Sequence, residues 1–208
     1  MAEETNFKIV VLPIDELKPH EKGSPFYLEL LKQEILQDQM LKYPVIADEK
    51  THVILDGMHR WLILKSLGYT LIPVMLVDAF QTRETHVGTR RIHRYLWNHN
   101  NGMNADKVIS AGISGQLMEP RSTRHFFSFS KFQKINYPLR LLKKKAPEDV
   151  SKYLAKMTTN EGSLAVKGWI GEISEELDFL TRRKEEVEKE MKEFLHRIKH
   201  LNNDFSLS

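Results

Sequence analysis

One segment constrains the fold more than any other, because it reads strand, turn, helix and strand within 25 residues. The apolar run Val53-Ile54-Leu55 has strand composition, and the helical run from Trp61 to Leu67 follows it after the turn Asp56-Gly57-Met58-His59-Arg60. Gly68 ends the helix, and a second apolar run extends from Ile72 to Val77. This alternation predicts an α/β unit whose turn lies at the edge of a sheet.

The turn itself predicts an anion site. It places the carboxylate of Asp56, the imidazole of His59 and the guanidinium of Arg60 beside the backbone N–H groups that a helix start leaves unpaired. The alternative is an ordinary turn, in which Asp56 caps the helix while His59 and Arg60 are solvated.

The neighbouring sequence predicts the rest of the same unit. We expect an opening strand from Phe7 to Leu12 and an amphipathic helix from Tyr27 to Met40. A short strand from Pro44 to Asp48 should pair as a hairpin with residues 53–55, across the turn Glu49-Lys50-Thr51.

Two further motifs flank this unit, and all three together resemble a known family. Lys18-Pro19-His20-Glu21 follows the opening strand, and Ser122-Thr123-Arg124-His125 lies far downstream. With the Asp56-to-Trp61 turn, Leu67-Gly68 and Asp78, the chain resembles the ParB/sulfiredoxin-like superfamily over about residues 5 to 143. Within it, the chain is most similar to the archaeal free L-serine kinases.

This resemblance implies a fold, an activity and a catalytic pair. The fold would be α/β (α+β), with a ParB/sulfiredoxin-like N-terminal domain. The activity would be transfer of a phosphoryl group from ATP or ADP to the hydroxyl of free L-serine, with Mg²⁺. Glu21 matches the family's base, and Asp56 matches an aspartate that binds the metal or steadies the serine hydroxyl. The simpler alternative for Glu21 is that it caps the next helix.

The resemblance also assigns binding residues. Four residues of the turn would hold the nucleotide phosphates, namely Gly57, Met58, His59 and Arg60. Serine and its phosphorylated product would be bound by Ser122, Thr123, Arg124 and His125, with Trp97 standing for an aromatic residue near bound serine. Without the resemblance, the downstream motif reads as a Ser/Thr helix cap beside a solvated arginine.

The amino-acid composition limits which activities of the superfamily this chain could have. The 208 residues include no cysteine, and Met58 stands where sulfiredoxins need one, so sulfiredoxin chemistry is excluded. A net charge of +3 permits nucleic acid binding without favouring it. The polar N-terminus lacks a leader pattern, and no apolar run is long enough to span a membrane, so we expect a cytoplasmic protein.

The C-terminal quarter of the sequence predicts helices. Pro147-Glu148-Asp149-Val150 has the composition of a helix start. A heptad pattern of apolar residues follows, interrupted only by Lys184: Ile170, Ile173, Leu177, Leu180, Val187, Met191, Phe194, Ile198 and Leu201. It predicts a coiled-coil-like extension that pairs with another helix of the chain or forms a homodimer.

These patterns divide the chain into three predicted regions. Residues 1–80 would form the nucleotide-binding domain, residues 81–145 would complete the substrate site, and residues 146–208 would form the helical extension. Between them, Arg90 to Trp97 has no clear secondary structure. A helix from Ala105 to Met118 should be interrupted by Gly112 and Gly115.

Three other functions stay open. A ParB-like partitioning or transcription protein would bind a nucleotide and DNA through a helix-turn-helix, with Ala111-Gly112-Ile113-Ser114 as its turn. However, Pro120 would stop the recognition helix early. A kinase of the same fold could instead act on threonine or homoserine. A nucleotide-sensing module is the third, although it would not need Glu21 as a base.

Overall fold

A mixed four-stranded sheet forms the centre of the N-terminal part of the chain. The computed structural model describes residues 9–80, 85–88, 103–120, 122–127, 134–156, 177, 181, 184, 185 and 187–193. The sheet strands are β1 (Ile9–Pro13), β3 (Val45–Asp48), β4 (Ile54–Asp56) and β5 (Leu71–Val77). The two-residue strand β2 (Met40–Leu41) lies outside this sheet.

The sheet order is β1-β5-β3-β4. β1 is antiparallel to β5, β3 is parallel to β5, and β3 and β4 form the predicted antiparallel hairpin. The parallel pair is connected through helix α2 (Met58–Ser66), which confirms the strand, turn, helix and strand order read from the sequence. The opening strand is also confirmed within the described residues.

Both faces of the sheet are buried, because successive residues of each strand enter different apolar clusters. Val45 and Ala47 of β3 join the cluster around α2 and its Trp61, whereas Ile46 joins the opposite cluster. Helix α3 (Ala105–Ser114) covers that second face through residues such as Val108. This arrangement supports a mixed α/β class.

The sequence predicted that Gly112 would interrupt α3, but the helix continues through this residue. Gly112 instead lets the helix approach the sheet closely. A Cβ at this position would lie 2.6 Å from a methyl carbon of Val53. Gly115 ends the helix in the left-handed conformation, with φ 71°. Residues 115–120 that follow are not helical, so the described chain contains no recognition helix after Ala111-Gly112-Ile113-Ser114.

Helix α1 (Pro25–Asp38) begins two residues before the predicted start at Tyr27. Ser24 is its N-cap and accepts a hydrogen bond from the Tyr27 N–H, while Pro25 occupies the first helical position. The helix ends where Gln39 adopts φ 53°. Four short strands form two further pairs: β6 (Thr85–Gly88) pairs with β7 (Arg124–Phe127), and β2 pairs with β8 (Tyr137–Pro138).

The segment after Lys145 packs with the N-terminal unit rather than with the extension. Val150 is 6% exposed and belongs to the main apolar cluster, which Tyr153 and Leu154 also contact. The chain divides into two compact units, Met1–Gly162 and Ser163–Ser208, so residues 146–156 lie in the first unit. The separate substrate region at residues 81–145 remains a prediction.

The helix predicted at Pro147-Glu148-Asp149-Val150 is wrong, because these four residues are not helical. The Asp149 carboxylate instead accepts hydrogen bonds from the N–H and hydroxyl of Ser151, which begins a short 3-10 helix through Tyr153. Lys65 pairs with Glu148 at 2.9 Å and fixes this segment against α2.

In the second unit, the described residues 177, 181, 184, 185 and 187–193 are all helical. Three of the predicted heptad residues are among them, and they are exposed within the chain: Leu177, Val187 and Met191. The other heptad residues lie outside the described part. No helix of the described residues has the length and apolar character needed to cross a membrane.

Candidate functional site

The loop that carries Glu21 runs beside β4. Lys18 forms a parallel bridge with Val53, and hydrogen bonds join the Lys18 N–H to His52 O and the Ile54 N–H to Lys18 O. Glu21 and Asp56 each lie three residues beyond the two bridge residues, in the same chain direction. The parallel register therefore carries both carboxylates to the same end of the sheet.

Backbone hydrogen bonds hold this loop from two distant segments. The Met118 N–H donates to His20 O at 2.9 Å, and the Lys22 N–H donates to Met118 O at 2.9 Å. One residue later, the Gly23 N–H donates to Tyr153 O at 2.8 Å, and the Ala155 N–H donates to Gly23 O at 3.0 Å. The position of Glu21 is thus fixed by residues about 100 and 130 positions later in the sequence.

His20 joins the first and third sequence motifs and contacts the strand that leads to the second. Its side chain is buried, with the residue 2% exposed. Nδ1 lies 2.6 Å from Ile54 O, just before the Asp56 turn, and Nε2 lies 2.8 Å from Thr123 Oγ1 of the third motif. Burial lowers the pKa of His20 to about 4, and the hydrogen bond to Ile54 O opposes this shift only in part.

Glu21 and Thr123 are brought into contact by this arrangement. Thr123 Oγ1 is 3.4 Å from Glu21 Oε2, and His20 Nε2 is 4.0 Å from the same carboxylate oxygen. The side chain of Glu21 is 16% exposed, whereas that of His20 is 3% exposed. Glu21 is therefore the outer end of a buried polar row, where a small molecule could reach it.

The second motif forms the N-terminus of α2. Gly57 caps the helix with φ 88° and ψ 21°, a conformation that residues with a Cβ rarely adopt. The first helical hydrogen bond runs from the Trp61 N–H to Gly57 O, so the N–H groups of the residues between them lie at the open start of the helix. These N–H groups can bind an anion.

Arg60 is oriented across this helix start by Asp56. Its Nη2 donates to Asp56 Oδ2 at 2.6 Å. Arg60 Nε is buried and has no hydrogen-bond partner among the described residues. An unsatisfied guanidinium N–H in such a position is costly unless a ligand accepts from it, so Arg60 is suited to contact an anion bound at the start of α2.

Met58 and His59 differ in which of their groups could contact a bound ligand. The Met58 side chain is 5% exposed and lies in the main apolar cluster, so this residue can contribute only its backbone N–H. His59 Nε2 accepts a hydrogen bond of 2.9 Å from the Ser24 N–H, and its ring meets Tyr27 edge to face. Because Nε2 is an acceptor, the neutral ring carries its proton on Nδ1.

The residues assigned to serine binding differ in their burial and in how much of each the structure describes. Thr123 and His125 are buried, and the His125 ring packs edge-on against His20 with centroids 5.3 Å apart. Ser122 Oγ is buried with no hydrogen-bond partner in the described part of the chain. The backbone of Arg124 lies in β7, but its side chain is outside the description, and so is the whole of Trp97.

The described residues fit Mg²⁺ only together with a substrate. They include no group of three or more His, Asp or Glu side chains that could hold a metal ion. Mg²⁺ commonly binds one or two carboxylates and takes its other ligands from phosphate oxygens and water. Asp56 at the anion-binding end of α2 suits that mode of binding.

Sequence reasoning missed three contributors to this site. His20 was noticed only as part of its motif, although a histidine between proline and glutamate can orient its neighbour. Ser24 was missed, although Ser24-Pro25 is a recognisable helix start. Nothing in the sequence marked the backbone of Tyr153 as a support for the Glu21 loop.

Comparison with known proteins gives partial matches in sequence. No family model matches the chain. An ATP-dependent L-serine kinase of Staphylothermus marinus is 32% identical over 75 residues, which are 34% of this chain and 30% of that protein. An ADP-dependent L-serine kinase of Thermococcus kodakarensis is 29% identical over 75 residues, with 34% and 31% covered. A ParB-like protein of Sulfolobus acidocaldarius is 33% identical over 76 residues, with 36% and 37% covered.

These matches span about a third of the relatives' own length. A solved free serine kinase in complex with AMP is similar over 66% of this chain and 94% of that one, with a TM-score of 0.52 and 16% sequence identity. The similarity in structure shows that the two chains share a fold. The relatives are therefore L-serine kinases and a ParB-like protein, as the three motifs predicted.

Proposed function

We propose that this protein is a free L-serine kinase, which transfers a phosphoryl group from ATP or ADP to the serine hydroxyl to give O-phosphoserine. One observation carries the proposal: His20 joins the Glu21 loop, the strand leading to Asp56 and the Thr123 motif in a single hydrogen-bonded site. The shared fold and the partial sequence matches to serine kinases support it.

Phosphoryl transfer needs a base near the attacking hydroxyl and donors around the transferred group. Glu21 is the base. When the serine oxygen attacks phosphorus, its O–H bond breaks and the proton passes to Glu21, while the bond from phosphorus to the nucleotide oxygen breaks. Glu21 contacts the buried side chain of Thr123, next to the buried His20, and its own carboxylate is partly exposed. The exposed part of this carboxylate is where the serine hydroxyl would bind.

The start of α2 holds the phosphates. The N–H groups after Gly57 and the positive end of the helix dipole attract phosphate oxygens, and Arg60 Nε adds a charged donor. Asp56 orients Arg60 and is the residue that would hold Mg²⁺. When bound, that ion would neutralise charge on the phosphate oxygens. Because His59 Nε2 accepts a hydrogen bond from the Ser24 N–H, this nitrogen is not available to the phosphates.

Ser122, Thr123, Arg124 and His125 form the side of the site that binds serine. Ser122 Oγ lacks a partner among the described residues, so a substrate amine or carboxylate would satisfy it. Arg124 supplies a guanidinium suited to a carboxylate, and Trp97 supplies an aromatic neighbour. The two buried residues of this group, Thr123 and His125, face His20 instead.

The test is direct. Purified full-length protein is incubated with Mg²⁺, L-serine and either ATP or ADP, and O-phosphoserine is measured by mass spectrometry. Parallel reactions with L-threonine and L-homoserine distinguish the alternative acceptors. Product from serine with one nucleotide supports the proposal and identifies the donor. Nucleotide binding without any phosphorylated amino acid would support a sensing module instead.

DNA binding is the weaker alternative. The residues after α3 are not helical in the described chain, which removes the recognition helix that a ParB-like reader would need. Retention on DNA that falls steeply with salt, together with no phosphoserine formation, would favour that alternative.

We also propose that the second unit forms a coiled coil between two copies of the chain. Leu177 is 64% exposed and Met191 is 58% exposed, although both occupy heptad positions that a coiled coil would bury. A partner helix would cover these side chains.

A further inference from the structure

The proton positions on His20 are fixed by its two hydrogen bonds. Nδ1 must carry a proton, because a backbone carbonyl such as Ile54 O can only accept. Burial holds the pKa of His20 at about 4, so the ring is neutral near pH 7. Nε2 is therefore an acceptor, and the hydroxyl of Thr123 donates to it at 2.8 Å.

The single hydroxyl proton of Thr123 therefore lies near two acceptors, His20 Nε2 and Glu21 Oε2. Thr123 Oγ1 also lies 3.4 Å from Glu21 Oε2, but a hydroxyl donates only one hydrogen bond. While His20 Nε2 takes that proton, the ionised Glu21 meets a lone pair of Thr123. If Glu21 gains a proton on Oε2, it can donate to Thr123 Oγ1, and the row is satisfied from Glu21 to Ile54 O.

We propose that Thr123 is a positioning residue, whose hydroxyl couples Glu21 to His20 and favours the protonated form of Glu21 that arises during catalysis. This inference rests on the proposed function of Glu21 as the base. The proton moves from the serine hydroxyl to Glu21 Oε2, and Oε2–H then donates to Thr123 while Thr123 keeps donating to His20. Thr123 thus acts through Glu21 and is not itself a contact to serine.

The surroundings of the row agree with this role. His20, Thr123 and His125 are each less than a tenth exposed, and the His125 ring lies edge-on to His20. Lys22, next to Glu21, is directed to the surface, where it pairs with Glu119 at 2.8 Å. A dry environment strengthens each hydrogen bond of the row and makes an incomplete one costly.

The first test is independent of catalysis. In ¹⁵N NMR of the full chain without substrate, His20 should show a neutral ring with the proton on Nδ1 and a hydrogen-bonded Nε2. Thr123→Val should move the Nε2 resonance toward that of an unbonded nitrogen. Glu21→Gln, which can donate to Thr123, should also shift the Nε2 resonance, and Thr123→Val should abolish that response. An Nε2 resonance indifferent to both changes would overturn the coupling.

The second test uses turnover, if the wild-type protein forms phosphoserine. Thr123→Val should lower kcat by up to about 10-fold, since the hydrogen bond that protonated Glu21 donates to the neutral Thr123 hydroxyl is lost, with little change in the KM for serine. Thr123→Ser, which keeps the hydroxyl, should restore most of the loss. In the Glu21→Gln background, Thr123→Val should have no further effect.

The two tests separate the two proposals. A raised serine KM in Thr123→Val, with effects that add to those of Glu21→Gln, would make Thr123 a direct substrate contact and overturn the inference. If the wild-type protein forms no phosphoserine, the serine kinase assignment fails, and the NMR response alone decides whether Thr123 couples Glu21 to His20.

Discussion

The backbone N–H of Gly23 donates a hydrogen bond of 2.8 Å to the carbonyl oxygen of Tyr153. The carbonyl of Gly23 returns the contact by accepting from Ala155. A Cβ at Gly23 would clash with Leu62 Cδ1, so the loop also packs closely on α2. The loop of Glu21 therefore depends on a segment that the sequence had assigned to the extension.

The first prediction concerns where the chain can be shortened. Protein ending at Gly162 should stay folded and keep nucleotide binding. Protein ending at Lys145 should unfold more easily, because it loses the pairing of Gly23 and the burial of Val150, worth about 1.5–3 kcal/mol for that side chain alone. Chemical denaturation of both truncations checks this. Equal stabilities would show that residues 146–156 are dispensable for the fold.

The second prediction concerns assembly. Full-length protein should be a dimer by light scattering, and the chain ending at Gly162 should be a monomer. Leu177→Asp should also give a monomer, since a charge in an apolar seam is costly. Thr181→Asp is a matched control, because Thr181 lies on the same helix outside the heptad positions and donates its hydroxyl to Leu177 O. A monomeric full-length protein would contradict the intermolecular coiled coil.

The third prediction concerns the base. Glu21→Gln should lower kcat for phosphoserine formation about 10²–10⁴-fold, since a positioned general base contributes that much, while nucleotide affinity stays close to that of the wild type. Glu34→Gln makes the same chemical change on the exposed side of α1, where Glu34 pairs with Lys42, and should be active. Wild-type turnover by Glu21→Gln would reject the mechanism.

The fourth prediction concerns Asp56. Asp56→Asn removes the charge that holds Arg60 Nη2 and weakens the proposed Mg²⁺ ligand, so the variant should turn over slowly and need more Mg²⁺. Titrating activity against Mg²⁺ measures this. A lower kcat with an unchanged Mg²⁺ requirement would assign Asp56 to the orientation of Arg60 alone.

The fifth prediction concerns the amino acid. Arg124→Ala should raise the KM for serine about 10- to 100-fold, because a charge-assisted hydrogen bond to the carboxylate is lost, while nucleotide binding persists. Arg124→Lys keeps the charge without the two-point geometry and should show a smaller rise. Unchanged serine KM in both variants would remove Arg124 from the substrate site.

The sixth prediction is a pH dependence of stability that comes from His20. Its pKa is about 4 in the fold and 6.5 ordinarily, so the unfolded chain binds more protons between these values. The contribution of His20 is therefore complete above pH 6.5 and declines as the pH falls toward 4, by about 2 kcal/mol at pH 5. Urea midpoints measured from pH 7 to pH 5 test this.

A flatter pH profile is expected for His20→Gln, which lacks the titrating ring. His52→Asn is the matched control, because His52 has φ 58°, a conformation that asparagine tolerates, and its side chain is partly exposed. That variant should keep the wild-type slope. If His20→Gln also kept it, another group would be responsible for the acid sensitivity.

The parts of the fold that could be predicted are those with local signals. The hairpin of β3 and β4 is indicated by two short apolar runs on either side of a polar turn. Helix α2 and strand β5 are indicated by their apolar patterns and by the glycines before and after the helix, Gly57 and Gly68. The helix expected at Pro147 failed because Asp149 binds Ser151 locally and Glu148 binds Lys65, two contacts that composition alone does not distinguish from a helix start.

The sequence indicated candidate residues for the site but not the contacts between them. Motif spacing indicated Glu21, Asp56 and Thr123, yet only the three-dimensional arrangement shows that Thr123 faces Glu21. The inward direction of Met58 was equally hidden, because an apolar residue in a polar turn can bind a ligand or join the core, and packing decides between them.

The pairing of Gly23 with Tyr153 also determines when the site can assemble during synthesis. The Glu21 loop leaves the ribosome early, but its backbone partners at Met118 and Tyr153 follow about 100 and 130 residues later. A nascent chain that has emerged only through β5 holds the sheet strands and α2 without the two segments that fix the Glu21 loop. The growing polypeptide therefore cannot complete the backbone hydrogen bonds of the Glu21 loop until residue 155 is free to fold back.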